Sequence, residues 1–254
     1  MKRILSCLLA LFVMTTQSYA YQSRCAFNYY GGKPPVINNK NTEISSQELC
    51  FSDFVVMYDT SRKTLLWSAE KVTQSMMRGA DATPRVDTFH EENMIKPEFR
   101  TTLKDYVSSG YDRGHMTPAG NEPNLKSQFE SFSLSNMVPQ NPSLNRGIWS
   151  QYEESVRDVV KSRGDLYIIT GPLYIKPIKT IGNNVPVPDS VFKIAISPSE
   201  RKAVVFLAKN DSSKQTSFIS VSDIENKTGI NFIPVISSTQ KIRKEIILGL
   251  NTSK

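Results

Sequence analysis

The chain has 254 residues, of which 39% are hydrophobic and 22% charged, and carries a formal net charge of +7. That length and apolar content exclude a disordered tail and a disulfide-stapled miniprotein, and suffice for one large domain or two small ones. The mild basic excess is compatible with a polyanionic partner but is common among secreted proteins, so it selects no function by itself.

Residues 1–20 read as a signal peptide. Lys2 and Arg3 form a basic start, Ile4 to Met14 an apolar core, and Ser18-Tyr19-Ala20 a small-residue cleavage site. The apolar run is shorter than the roughly 20 residues that span a bilayer; a retained N-terminal anchor is the alternative. Cleavage after Ala20 removes two cations and no acid, taking the net charge from +7 to +5. Cys7 leaves with the leader. Cys25 and Cys50 remain, and two cysteines in an exported chain read as one disulfide, with two free thiols as the alternative. In the chain-entropy picture such a loop closure stabilises by about 3–4 kcal/mol. Two cysteines and two histidines at these spacings match no zinc-finger pattern.

Residues 21–50 are polar and rich in Gly, Pro and Asn, which predicts an irregular arm. Phe54 to Tyr58 and Thr64 to Ala69 read as the strands of a hairpin around the turn Asp59–Arg62. Residues 74–105 lack periodicity and read as a long surface excursion. From Asn145, apolar residues at Trp149, Tyr152, Val156, Val159 and Val160 recur at helical spacing, and Arg163-Gly164 ends the run. Leu166–Thr170, Val191–Ile196 and Lys202–Ala208 read as strands. Phe218 to Ile224 is too short to assign, and Phe232 to Ile236 predicts a small final element. Together these predict one α+β domain: a central, largely antiparallel sheet with flanking helices.

The chemistry concentrates in Asp112-Arg113-Gly114-His115, 30 residues ahead of Asn145. A phosphodiester needs an in-line nucleophile, charge neutralisation at phosphorus and help for the leaving oxygen. His115 offers a base that is largely neutral at pH 7. Gly114 lets backbone approach closely, and Arg113 supplies a fork of donors. Asp112 reads as fixing Arg113 or local backbone. Asn145 offers an uncharged oxygen ligand that suits Mg²⁺, with Mn²⁺ able to substitute. Glu153 lies two helical turns further, a rise of about 12 Å in a continuous helix, which disfavours joint direct ligation and leaves it to reach the ion through water. Arg157 lies one turn beyond Glu153. The bland alternative is a surface ion pair between Glu153 and Arg157. His90, in Phe89-His90-Glu91-Glu92, has no supporting context and reads as exposed.

Tyr111-Asp112-Arg113-Gly114-His115-Met116, then Ser135 to Gln140, then Leu144-Asn145-Arg146-Gly147-Ile148-Trp149, strongly resemble the DNA/RNA non-specific endonucleases, which are ββα-metal (His-Me finger) enzymes. The likeness extends to Arg85-Val86-Asp87-Thr88-Phe89 upstream. Downstream it includes Ile169–Pro172, Val187–Lys193 and Ile224–Gly229, so it spans roughly residues 53–235. The resemblance implies His115 as general base, Asn145 as the direct protein ligand of Mg²⁺, and Glu153 as holder of a metal-bound water and helper of the leaving group. It implies that Arg85, Arg113 and Arg157 contact phosphate or stabilise its transition-state charge, and that Asn136 and Gln140 are scaffold. With the leader and arm read above, the expected division is a signal peptide (1–20), an arm with the Cys25–Cys50 pair (21–52), about which the resemblance says nothing, and an endonuclease domain (53–254). The expected partners are DNA and RNA as substrates, with no stable membrane association, in the periplasm or the medium. A phosphodiesterase for small nucleotides and a non-catalytic nucleic-acid-binding protein of the same fold are the alternative readings.

Overall fold

The computed structural model describes residues 23–175, 177–243, 247 and 249–250; the predicted leader lies outside them. A seven-stranded sheet forms the centre. Its strands are β1 (Ser46–Cys50), β2 (Phe54–Asp59), β3 (Thr64–Val72), β6 (Leu166–Leu173), β7 (Ser190–Ser197), β8 (Lys202–Lys209) and β9 (Thr216–Ile219). They lie in the order β9-β8-β7-β6-β3-β2-β1, and every neighbouring pair is antiparallel. The hairpin predicted over 54–69 is β2–β3. The fold is α+β, as expected.

Both faces of the sheet are covered, and strand alternation shows how. On β8, Val204 and Phe206 join one core with Trp149, Tyr152 and Val156 of the 145–160 helical run. Val205, between them, joins the other with Val221, Ile224 and Phe232. The helix of the first layer, α3, spans Ser150–Arg163; the helix of the second, α4, spans Val221–Thr228. The unassigned stretch 218–224 is thus the end of β9 and the start of α4, where Ser220 and Asp223 cap each other's backbone reciprocally.

The connection from β3 to β6 leaves the sheet and carries the motifs. It contains α1 (Gln74–Ala82), β4 (Asp112–His115), α2 (Leu125–Ser131), β5 (Met137–Gln140) and α3. The excursion expected over 74–105 therefore opens with a helix. Thr73 caps it through Met76 N–H; Met77 is buried, and Met76 and Ala80 pack partly buried against the same core. Strands β4 and β5 pair antiparallel, Gly114 opposite Val138, and α3 follows β5. This is a ββα unit on the face of the sheet.

The N-terminal segment is less separate than its composition suggests. Its last residues form edge strand β1, and Val36–Ile37 pairs with Ile230–Asn231. Cys25 and Cys50 are bonded, with Cα atoms 5.8 Å apart. Tyr29 is buried and donates to Glu48 Oε1 at 3.1 Å. Because the bridge ties this segment to the sheet edge, far along the chain from His115 and Asn145, Cys25→Ser should lower stability by about 2–5 kcal/mol while the surviving folded fraction keeps its specific activity. Thermal melts with and without reductant check this; equal melting temperatures would contradict it.

Candidate active site

Strand pairing fixes the motif first. Gly114 faces the buried Gln140 side chain, and a Cβ at 114 would collide with it. Beyond β4, Met116 N–H donates to Asn136 O. The fully buried Asn136 amide then bonds three backbone groups: it accepts from Thr117 N–H at 2.9 Å and donates to the carbonyls of Thr117 and Ser131 at 2.8 and 2.9 Å. It clamps the chain just past His115. Asn136→Ala strands those buried groups and should cost about 2–5 kcal/mol, read as a lower denaturant midpoint; a shift near zero would contradict the clamp.

A cleft of about 500 Å³ gathers His115, Arg113, Arg85, Asn145 and Glu153 along its lining. The imidazole of half-buried His115 packs edge-on to Phe132, with ring centroids 4.8 Å apart, and tilted against Phe89 at 5.6 Å. The same two rings carry the arginines: Arg113 lies 4.1 Å over Phe89 and Arg85 5.1 Å over Phe132. Burial first, then the charges of Arg85 and Arg113, push His115 down to about 3. It is therefore neutral at pH 7, and its Nε2 has no protein partner. A phosphate gripped by the two arginines would offset their repulsion and strengthen the base as substrate arrives.

Asp112 corrects one expectation. Neighbouring residues on a strand point to opposite faces, so Asp112 does not pair with Arg113. It accepts from Asn145 Nδ2 at 2.9 Å and takes Arg146 in a fork at 2.8 and 2.6 Å. Partial burial pushes this carboxyl up, but the Arg146 and Asn145 hydrogen bonds and the charges of Arg146 and Arg113 together outweigh it and leave it below its ordinary value. With Nδ2 engaged, Asn145 has its carbonyl oxygen left for a cation.

The helical geometry is also corrected. Residues 145–149 form a wide π-type turn, and Gly147 leaves helical space at φ −110°, ψ −117°. Such a bulge breaks the regular rise assumed between Asn145 and Glu153, and both side chains reach one cleft. Burial raises the Glu153 carboxyl, while Lys193, Arg157 and Arg85 pull it back. Its Oε1 is buried without a partner. These unpaired atoms, with the oriented Asn145 amide, fit a divalent cation bound by oxygen and water.

Arg157 is not among the residues lining the cleft. Its guanidinium lies against Gly120, where a Cβ would come within 3.2 Å of it. Among the described residues no Glu153–Arg157 contact closes to ion-pair distance, so the bland surface pair is not formed; Arg157 acts on Glu153 through its charge. Arg85 is exposed and also bonds Asp87 at 2.8 Å. His90 is half-buried rather than exposed, stacked on Phe129 with centroids 4.2 Å apart, and is not part of the cleft lining.

Three contributors were not anticipated. Phe132 and Arg146 are described above. The third is Lys193 on β7, 1% exposed, which donates to Thr170 Oγ1 at 2.7 Å and to Met116 O at 3.2 Å. It lies 5.1 Å over Trp149. Nearby Glu70 is raised to about 7 by burial, held back by Lys193 and by Asn121, which donates to both its oxygens. A lysine inside an otherwise apolar strand was the available signal.

A family model for DNA/RNA non-specific endonucleases matches residues 32–238. The chain belongs to that family. It is 29% identical over 228 residues to the human mitochondrial nuclease EXOG, covering 81% of this chain and 61% of that protein. It is 32% identical over 209 residues to a nuclease of Syncephalastrum racemosum, covering 71% and 65%, and 30% identical over 216 residues to human mitochondrial endonuclease G, covering 77% and 72%. It thus spans somewhat under two thirds of the first two relatives. A solved chain from an EndoG/EndoGI complex superposes with a TM-score of 0.71 at 28% identity, covering 87% of this chain and 96% of that one.

Proposed function

We propose that this family member is a metal-dependent endonuclease that hydrolyses phosphodiester bonds of DNA and RNA with little base preference. The observation that carries the proposal is the cleft itself. A neutral His115 with an unpaired nitrogen, an oriented Asn145, an unpaired Glu153 oxygen and two ring-mounted arginines meet there. His115 takes a proton from water as the water oxygen attacks phosphorus. Arg113 and Arg85 hold the phosphate and its developing charge, while Arg157 reinforces the field from behind. Glu153, raised by burial, suits proton exchange with the leaving oxygen. Asn145 would hold Mg²⁺ (or Mn²⁺) directly and Glu153 through water, the ion supplying charge neutralisation at phosphorus.

Water as nucleophile needs no 2′-hydroxyl, and groups aimed at phosphate read no sequence. Double-stranded DNA, single-stranded DNA and RNA should therefore all be cut, with affinity falling as salt rises. Enzyme that cut RNA rapidly and left both DNA forms intact under one buffer would overturn the proposal. We also propose export to the periplasm or medium, supported by the leader-like residues 1–20 and by the Cys25–Cys50 disulfide. No helix of the described residues is long and apolar enough to cross a membrane. Loss of residues 1–20 from the mature protein, seen by mass spectrometry, is the expected result; an intact N-terminus on cytosolic protein would contradict it.

A further inference from the structure

The lining of the cleft is of two kinds. One carries the charged groups just described. The other is formed by residues 103–111 and presents Leu103, Tyr106, Val107 and Tyr111. Val107 is 72% exposed and Leu103 38% exposed, so apolar surface is accessible beside the charged groups.

This wall is built, not incidental. Tyr106 is buried in a separate core with Leu134, Met137 and Ile181. Asp105 accepts from Thr102 N–H and from Asn183 N–H, each at 2.7 Å, anchoring the start of the segment. Ser108 holds a left-handed backbone at φ 54°, rare for a residue with a side chain. Ser109 secures that turn: its Oγ donates to Tyr106 O at 2.9 Å and accepts from Tyr111 N–H at 3.2 Å. Lys179 Nζ donates to the Tyr111 hydroxyl at 3.0 Å and adds a cation at the rim. The fold thus fixes Val107 and Tyr111 in the lining of the same cleft as Arg113 and His115.

We propose that this wall is a nucleobase subsite: it packs against the base of a nucleotide flanking the scissile phosphate. The proposal rests on the nuclease reading above. With the phosphate held on the charged wall, the attached base must lie elsewhere in the cleft, and every base offers an apolar face to such a surface whatever its identity. Contact of this kind improves binding of the reacting nucleotide without selecting sequence. It also favours nucleotides that can leave their stack, so flexible single strands and mismatched sites are cut faster than regular duplex.

The test uses end-labelled single-stranded DNA in which one nucleotide is replaced by a tetrahydrofuran abasic unit. Cleavage is quantified phosphate by phosphate against the intact strand. Wild-type enzyme should cut the phosphates flanking the abasic unit about tenfold more slowly than the same phosphates in the intact strand, the scale of one lost base contact. Val107→Ser and Leu103→Ser, both at exposed positions that do not threaten folding, should shrink that contrast to about threefold or less. Equal cutting with and without the base in wild type, or a contrast unchanged in both variants, overturns the subsite. Failure to cut any phosphate of either strand overturns the nuclease reading, and the subsite with it.

Discussion

His115→Ala should lower kcat by about 10²–10⁴-fold, the usual worth of a positioned general base. Binding of nucleic acid should survive, because Arg85 and Arg113 remain in the cleft, so a filter-binding isotherm should hardly move. A variant that turns over at the wild-type rate would remove His115 from the chemistry. The pH dependence follows from the same environment. Burial and the two guanidinium groups hold the imidazole at about 3, so the free enzyme keeps its base unprotonated from neutrality down through pH 6.5, where an ordinary histidine charges. The acid limb of kcat/KM assigned to His115 should therefore fall well below pH 6.5. Removing one repelling cation, as in Arg113→Gln, should move that limb upward while also weakening phosphate binding. A wild-type limb centred at the ordinary imidazole value would contradict the burial argument.

Asn145→Ala should weaken Mg²⁺ and Mn²⁺ binding by at least about tenfold and lower the rate with it, since loss of even an outer partner of a metal site commonly costs 10–100-fold. Titration calorimetry on the free protein reads the metal directly, without relying on turnover. Glu153→Gln should damage metal binding less and the rate more, because Glu153 reaches the ion through water and also serves the leaving oxygen. The Asp112 carboxylate makes a further distinction. It orients the Asn145 amide through a 2.9 Å hydrogen bond, so Asp112→Asn should lower metal affinity without touching the metal itself. If Glu153→Gln abolished binding while Asn145→Ala left it intact, the ligand assignment would be reversed.

Much of this was legible because the deciding residues are adjacent in sequence. Asp112 to His115 and Leu144 to Trp149 are contiguous runs, and β2–β3 is a local hairpin with its turn residues in place. What could not be read depends on distant pairing. Strand β3 meets β6 across the whole ββα insertion, Ser68 opposite Thr170, and nothing local in either strand specifies that partner. The burial of Lys193 follows from it: only when the ββα unit covers that face of β7 does an outward-looking lysine become an interior one. Helix α1 is hard to read locally because Gln74–Ala82 is only nine residues long and contains the helix-weakening Gly79. The partner of Asp112 is not legible locally, because strand alternation turns its side chain away from Arg113 and toward Asn145 and Arg146.

We propose that this one cleft performs metal-dependent phosphodiester hydrolysis. The most direct measurement is nicking of supercoiled plasmid by purified protein in Mg²⁺, in Mg²⁺ with excess EDTA, and by His115→Ala in Mg²⁺, on one gel. The expected result is relaxed and linear DNA in the first lane and intact supercoiled DNA in the other two. Nicking that persists in EDTA, or that His115→Ala performs as well as wild type, would contradict the account.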